Sequence, residues 1–213
     1  MPQSSLKVII SIHFFLALVF ITACANAANL TAITPSLKID QIKSNHDQDQ
    51  DGLEDYQDIL SAARSQIGIV TKYDTSYYAG AFPPADKGAC ADVIWRALQV
   101  AGFDFKNNLD QDMKKHPQDY PSNPQPDKNI NFRRVQNIRI YLNKYAQKLI
   151  TEVIPNDNNN LKQWQGGDIV TYAQIPGGLW HIAIVSSNRR SDGVPLLIHN
   201  YGRGVREDDY LLK

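Results

Sequence analysis

Cysteine is scarce in this chain: two in 213 residues, Cys24 and Cys90. A disulfide scaffold is therefore excluded as the source of stability, and the fold must rest on a packed core. An excess of positive charge is absent too. Lys plus Arg equals Asp plus Glu at 22 each, and no basic stripe with interleaved aromatics occurs. That removes the electrostatic footprint of a nucleic-acid binder, so nucleic acid is not an expected partner. A second long apolar run is missing after the first two dozen residues, so no further membrane span is expected. What remains is 43% hydrophobic and 21% charged, the make-up of an ordinary globular domain.

The one apolar run sits at the start. Lys7 precedes a stretch over 8–23 rich in Phe, Leu and Val, and Ala25-Asn26-Ala27 fits a small-x-small cleavage pattern. Residues 1–27 thus read as a secretory signal, sending the chain to the periplasm or cell envelope. A rival reading stays open. Ile21-Thr22-Ala23-Cys24 resembles a lipobox, which would acylate Cys24 and add a lipid anchor. Residues 28–45 are small and polar and read as a linker.

In either reading Cys24 is accounted for and Cys90 has no internal partner. An unpaired thiol outside the reducing cytoplasm is a liability unless buried or used. Cys90 opens an apolar-periodic segment over 90–101 that stops at Gly102. A helix N-terminus favours a thiolate through its exposed N–H groups and dipole. Cys90 is also in register with Val93, Ala97 and Ala101, so a buried structural role is the alternative. Far downstream, His181 heads an alternating strand whose face it shares with Ala183 and Val185, and His199 interrupts an apolar run. A helix-borne thiol followed by strand histidines is the pattern of a thiol nucleophile with His181 as general base. His199 would hold the ring of His181, and Asn200 is the rival, although it points to the opposite face of a pleated strand. Each histidine taken alone also reads as structural.

A second constellation lies at 46–58. Asp47, Asp49, Asp51, Asp55 and Asp58 fall at loop positions one, three, five, nine and twelve, with Gly52 at six. That is the oxygen-ligand spacing of a calcium loop, with Asp at position twelve in place of the usual Glu. A structural calcium ion (Ca2+) is expected there; the alternative is a solvated acidic helix start.

The remaining pattern predicts helices over 58–68 and 133–149, a loop over 73–88, and a Pro-rich loop over 116–131. After an Asn-rich turn at 158–160 the period switches to two, predicting strands over 169–172, 179–185 and 196–200. Helices followed by an antiparallel meander make an α+β fold, with 59–213 as its domain.

Several motifs now act together. Asp47-Gln48-Asp49-Gln50-Asp51-Gly52, Tyr77-Tyr78-Ala79-Gly80, Cys90-Ala91-Asp92-Val93-Ile94-Trp95, Asn131-Phe132-Arg133-Arg134-Val135, His181-Ile182-Ala183-Ile184-Val185 and Leu197-Ile198-His199-Asn200 resemble the bacterial domain-of-unknown-function family 1287. The order of thiol helix, Gly-Gly-Asp-Ile-Val-Thr-Tyr, strand histidine and Leu-Ile-His is similar to the NlpC-like murein peptidases of the papain-like superfamily. The resemblance implies helices packed on an antiparallel meander, Cys90 as nucleophile, His181 as base, His199 as orienting residue and Tyr73 near the oxyanion. It also implies an amide of peptidoglycan peptides as substrate, no cofactor for catalysis, and a monomer. Where those peptidases follow the cysteine with Ser-Gly, this chain has Ala91-Asp92. A non-catalytic calcium-stabilised envelope module and a thiol acyltransferase remain the alternative functions.

Overall fold

The structure is a computed structural model that describes residues 39–213 apart from 81, 122–124 and 176–177. The leader, the lipobox with Cys24 and most of the linker lie outside the described residues.

The described chain is α+β. Its helices are α1 (Asp55–Ser65), α2 (Cys90–Val100), α3 (Phe105–Lys115), α4 (Val135–Tyr145) and the short α5 (Asn158–Leu161). A two-residue parallel pair, β1 (Lys72–Tyr73) and β2 (Lys87–Gly88), sits between α1 and α2. The main sheet is an antiparallel meander in chain order: β3 (Ile169–Ile175), β4 (Leu179–Arg189), β5 (Pro195–Asn200) and β6 (Val205–Asp208). No described helix is long and apolar enough to cross a membrane.

The pleat sorts the strand residues into two cores. Ile182, Ile184 and Ile198 face the helices and pack with Ala63, Val93, Ile94 and Ala97. Ala183, Val185 and Leu197 face the other way, against Leu161, Trp164, Val194 and Leu211. The sheet is therefore covered on both faces, which is why β4 reads as a nearly unbroken apolar run.

Several sequence expectations need correction. The first helix begins at Asp55, three residues before 58, because Glu54 caps it: its carboxylate accepts from the N–H groups of Tyr56 and Gln57 at 3.2 and 3.1 Å. The expected helix over 133–149 is cut at both ends. Tyr145 and Leu149 are exposed, so their spacing marks no buried face. Arg133 belongs to a 3-10 turn, Asn131–Arg133, and Arg134 is extended. The segment expected as a loop over 73–88 carries the parallel pair at its ends. The Asn-rich turn is the helix α5, capped by Asp157. Residues 41 and 42 of the expected linker are docked: Gln41 Nε2 donates to the Gly166 carbonyl at 2.8 Å and Ile42 N–H donates to Gln165 Oε1 at 2.9 Å. Finally, the charged stretch near the end forms β6, a strand its composition does not announce.

The departure of Arg133 from the helix has a physical cause in Asp92. Asp92 is fully buried in the first turn of α2. Its Oδ2 accepts the Ala89 N–H at 2.5 Å and its Oδ1 accepts the Trp95 indole N–H at 2.9 Å. Arg133 completes the set with a forked contact, Nε to Oδ1 at 2.8 Å and Nη2 to Oδ2 at 2.9 Å. The guanidinium also donates to the carbonyls of Ser76 and Asp74 at 2.6 and 2.9 Å. Gly88 must be glycine here, since a Cβ would come within 2.9 Å of the Asp92 side chain.

Removing one member of a buried, hydrogen-bonded pair leaves the other charge uncompensated. Arg133→Ala is expected to destabilise the domain by about 3–5 kcal/mol, read from urea midpoints against wild type. A loss below 1 kcal/mol, the range of an exposed pair, would show that this pair does not brace the fold.

Candidate active site

Cys90 is the first residue of α2 and is 4% exposed. The N–H groups of Ile182, Ala91 and Cys90 itself lie beside its sulfur and favour the thiolate. Burial is the larger effect, and the thiol is pushed above the ordinary range. The helix start alone would favour the thiolate by about 0.3–1 kcal/mol, too little to reverse desolvation of the sulfur. The resting group is a protonated thiol.

How the Ile182 N–H reaches the sulfur follows from the sheet. The β4–β5 ladder runs through Ile184↔Ile198 and Val185↔Leu197, with no pairing of Ile182 across to β5. Asn200, at the end of β5, turns its amide instead toward the chain before the thiol, donating to Gly88 O at 2.8 Å and Lys72 O at 3.2 Å. It thereby ties β1, β2 and the start of α2 to the sheet. The rival orienting residue of the sequence reading is thus a brace for the thiol loop, on the helix side of the pleat.

His181 is one residue from the N–H that touches the sulfur. It is buried, and its Nε2 lies 2.7 Å from His199 Nδ1. His199, with no exposed surface, places its Nε2 2.8 Å from Asp208 Oδ1. The tautomers follow from this chain. An ionised Asp208 can only accept, so His199 carries its proton on Nε2 and presents Nδ1 as acceptor. His181 must then donate from Nε2, which leaves the lone pair on Nδ1. Burial, followed by the charge on His199, pushes the pKa of His181 down to about 3, while Asp208 acts in the opposite direction. His199 is also lowered, by burial, against the pull of Asp208. Both imidazoles are neutral in the resting site. Tyr201 and Tyr210 surround the pair, with ring centroids 5.1 and 5.7 Å from that of His181.

Tyr73, at the end of β1, interacts with the Cys90 sulfur through its hydroxyl. Burial of that hydroxyl, then the neighbouring sulfur, pushes its pKa up to about 12, so it remains a proton donor. The residue as a whole is 42% exposed, so Tyr73 stands between solvent and the thiol that its hydroxyl meets. The adjoining Asp74 is paired with Lys87 across the parallel β1–β2 pair at 2.9 Å, which fixes the base of that cover.

At the unpaired end of β4 and β5 Tyr73 meets the Cys90 sulfur on the helix side of the sheet, while His181 meets His199 on the other face of the pleat. Asp208 joins them unannounced. Its signal is the alternation along 205–208, which puts Arg206 and Asp208 on the face of Leu197 and His199 once the β5–β6 register is set. The acidic segment stands apart from this cluster. Asp47, Asp49 and Asp51 bring carboxylate oxygens within 4.8 Å of one another, Asp55 Oδ1 accepts the Gln48 N–H, and Asp58 is buried. A hollow of about 610 Å³, lined in part by Phe82, Trp95, Phe103 and Lys106, includes none of the thiol or imidazole residues.

A buried thiol at a helix start and a histidine relay on one sheet end define an α+β domain with a constructed polar centre. The chain belongs to the family described as Domain of unknown function (DUF1287), whose profile matches residues 60–213. It is similar to "Uncharacterized protein YijF" of Escherichia coli (strain K12), 37% identical over 160 residues that cover 72% of this chain and 75% of that one. No solved structure matches.

Two measurements check the electrostatics. The unfolded chain binds protons at His181 below about 6.5 that the folded chain refuses until about 3. Stability from this residue is therefore full above that window and is lost as pH falls through it. The melting temperature should drop between pH 7 and pH 4, and the drop should be shallower in His181→Gln; equal slopes would mean that the imidazole is not held neutral. Separately, iodoacetamide should capture Cys90 more slowly than free cysteine at pH 7 and accelerate above the usual thiol range of about 8.5. Rapid capture at neutral pH would contradict a buried, protonated thiol.

Proposed function

We propose that this protein is an exported, NlpC-like cysteine hydrolase of papain-like type that cleaves an amide bond in peptidoglycan peptides. The observation that carries the reading is the Asp208–His199–His181 chain, ending one residue from the N–H that touches the Cys90 sulfur. Such a chain has a clear use if a proton must be received at His181 Nδ1.

In this reading the thiol and imidazole start neutral. Cys90 Sγ attacks the substrate carbonyl while its proton passes to His181 Nδ1, a transfer that has to run round the open end of the sheet because the two side chains lie on opposite faces of the pleat. The C–N bond then breaks, the amine departs with that proton, and a thioester remains on Cys90. Water attacks the thioester, gives its proton to His181, and the thiol is restored on release of the acid. The transient imidazolium donates to His199, which in turn donates to Asp208, so the positive charge is stabilised only after proton transfer. That is where stabilisation accelerates the reaction. The N–H groups at the start of α2 and the Tyr73 hydroxyl are the donors for the developing oxyanion. Asn200 is a positioning residue, acting through Gly88.

The family and its relative support membership and leave the chemistry to be tested. Purified murein, incubated with the chain and analysed by mass spectrometry, should yield new peptide fragments with wild type and none with Cys90→Ala. Asp208→Asn should slow release by about 10²–10⁴-fold, the range for loss of general acid–base catalysis, with a displaced pH profile. Fragments that persist in Cys90→Ala, or none from wild type, would overturn the hydrolase and leave the non-catalytic module; transfer of an acyl group to an added amine without hydrolysis would favour the acyltransferase.

A further inference from the structure

The hollow along the thiol helix takes no part in the reaction described above. At about 610 Å³ it has the size of a small-ligand pocket. Its floor is aromatic. Trp95, five residues past Cys90 on α2, carries the ring of Phe82 at a centroid distance of 4.9 Å, and Phe82 remains 48% exposed. Phe132 backs the indole edge-on at 5.7 Å, and Phe103 adds a partly buried side. A half-exposed phenyl ring held on a buried indole offers apolar area that a flat ligand can cover. Gly102 leaves part of the wall as bare backbone. It has φ +78, and the place of a Cβ is filled by the acidic loop behind it, 2.8 Å from Asp49 Cβ.

The rim is made of amides. Gln99, one turn beyond Trp95, has no side-chain hydrogen bond among the described residues. Asn107 donates its side-chain N–H to Asp104 at 3.0 Å, and Asn129 donates to the Tyr77 hydroxyl at 2.7 Å. Both amide oxygens remain as acceptors. An aromatic floor under an amide rim suits a sugar: the C–H face of the ring covers the aromatics, and hydroxyl and acetamido groups meet the amides.

The charges narrow the class further. Two lysines and one aspartate line the hollow. The aspartate, Asp104, already holds Asn107. Lys106 is committed, with its Nζ 3.1 Å from Asp110 and over the ring of Phe132. Lys128 is exposed and enters no ion pair among the described residues. The adjoining Asp127 gives its oxygens to the Tyr77 hydroxyl and the Asn129 N–H. The free charge at the rim is therefore positive and calls for an anionic group beside the sugar.

We propose that this hollow takes the sugar end of a murein peptide, with an acetamido sugar lying on Phe82 and Trp95 and a carboxylate of the attached peptide paired with Lys128. The inference rests on the murein reading above and adds the sugar to it. A helix rises 1.5 Å per residue, so Trp95 and Gln99 lie about 8–14 Å along α2 from Cys90. The Trp95 indole is bonded to Asp92 in the first turn of the same helix, which fixes the floor relative to the thiol.

The test uses the full chain as Cys90→Ala, which cannot turn substrate over. It is titrated by calorimetry with N-acetylmuramyl-L-alanyl-D-glutamate, with the peptide of that compound alone, and with neutral N,N′-diacetylchitobiose. The sugar-bearing peptide should bind best. Adding Phe82→Ala should weaken it about 2–10-fold. Adding Lys128→Gln should weaken it about 2–5-fold and leave the chitobiose affinity unchanged. Both side chains are exposed, so neither change should move the melting temperature. No binding up to about 10 mM, well above a weak dissociation constant of about 1 mM, would overturn the site. So would an affinity untouched by Phe82→Ala, or an equal affinity for the peptide alone. Lys128→Gln without effect would overturn the carboxylate pairing. Binding here with no cleavage of murein by wild type keeps the hollow and ends the hydrolase reading; cleavage without this binding does the reverse.

Discussion

The forked contact between Arg133 and Asp92 is the constraint on which the rest of the structure leans. Asp92 has no exposed surface and sits two residues past the thiol, so its charge must be answered inside the protein. Four groups answer it: the Ala89 N–H, the Trp95 indole and two guanidinium nitrogens. The same guanidinium holds the carbonyls of Asp74 and Ser76, next to Tyr73. One ion pair therefore sets the start of α2, the cover over the thiol and the position of the 3-10 turn that precedes α4. It also gives the Asp after Ala91 a structural role: the carboxylate caps the helix by accepting the Ala89 N–H.

From that anchor the polar centre is assembled by the sheet. β4 and β5 stop pairing where Cys90 arrives, and the unpaired Ile182 N–H and Asn200 amide are spent on the sulfur and on Gly88. The imidazoles lie on the opposite side of the pleat, ordered by Asp208 into one direction of proton donation. Burial of both thiol and imidazole keeps them neutral at rest.

Part of this was open to direct reading. Cys90 at a helix start, Gly102 as its stop, and the period-two pattern around His181 and His199 follow from local spacing, and each is in place in the fold. Tyr73 came only with the family resemblance, and it does lie against the sulfur. Asp208 was hidden because a short charged segment carries no strand signal until β5 is beside it. Arg133 was misplaced because helical periodicity sees only its neighbours Val135 and Ile138, not a buried carboxylate 41 residues away. The thiol pKa also ran against local reasoning: a helix terminus favours the thiolate, yet the packing around it raises the pKa.

The amino-acid sequence by itself determined the helices α1, α2 and α4 to within a few residues, the strands β3 to β5, the positions of the thiol and the two histidines, and the acidic loop, since these depend on spacing along a few turns or a pleat. Only the tertiary structure decided the direction of the histidine relay, the protonation of the thiol, the pairing of Arg133 with Asp92 and the seat of Asp49 on Gly102. Those depend on desolvation and on contacts between segments far apart in the chain, and both come into being only when the two cores close around the sheet.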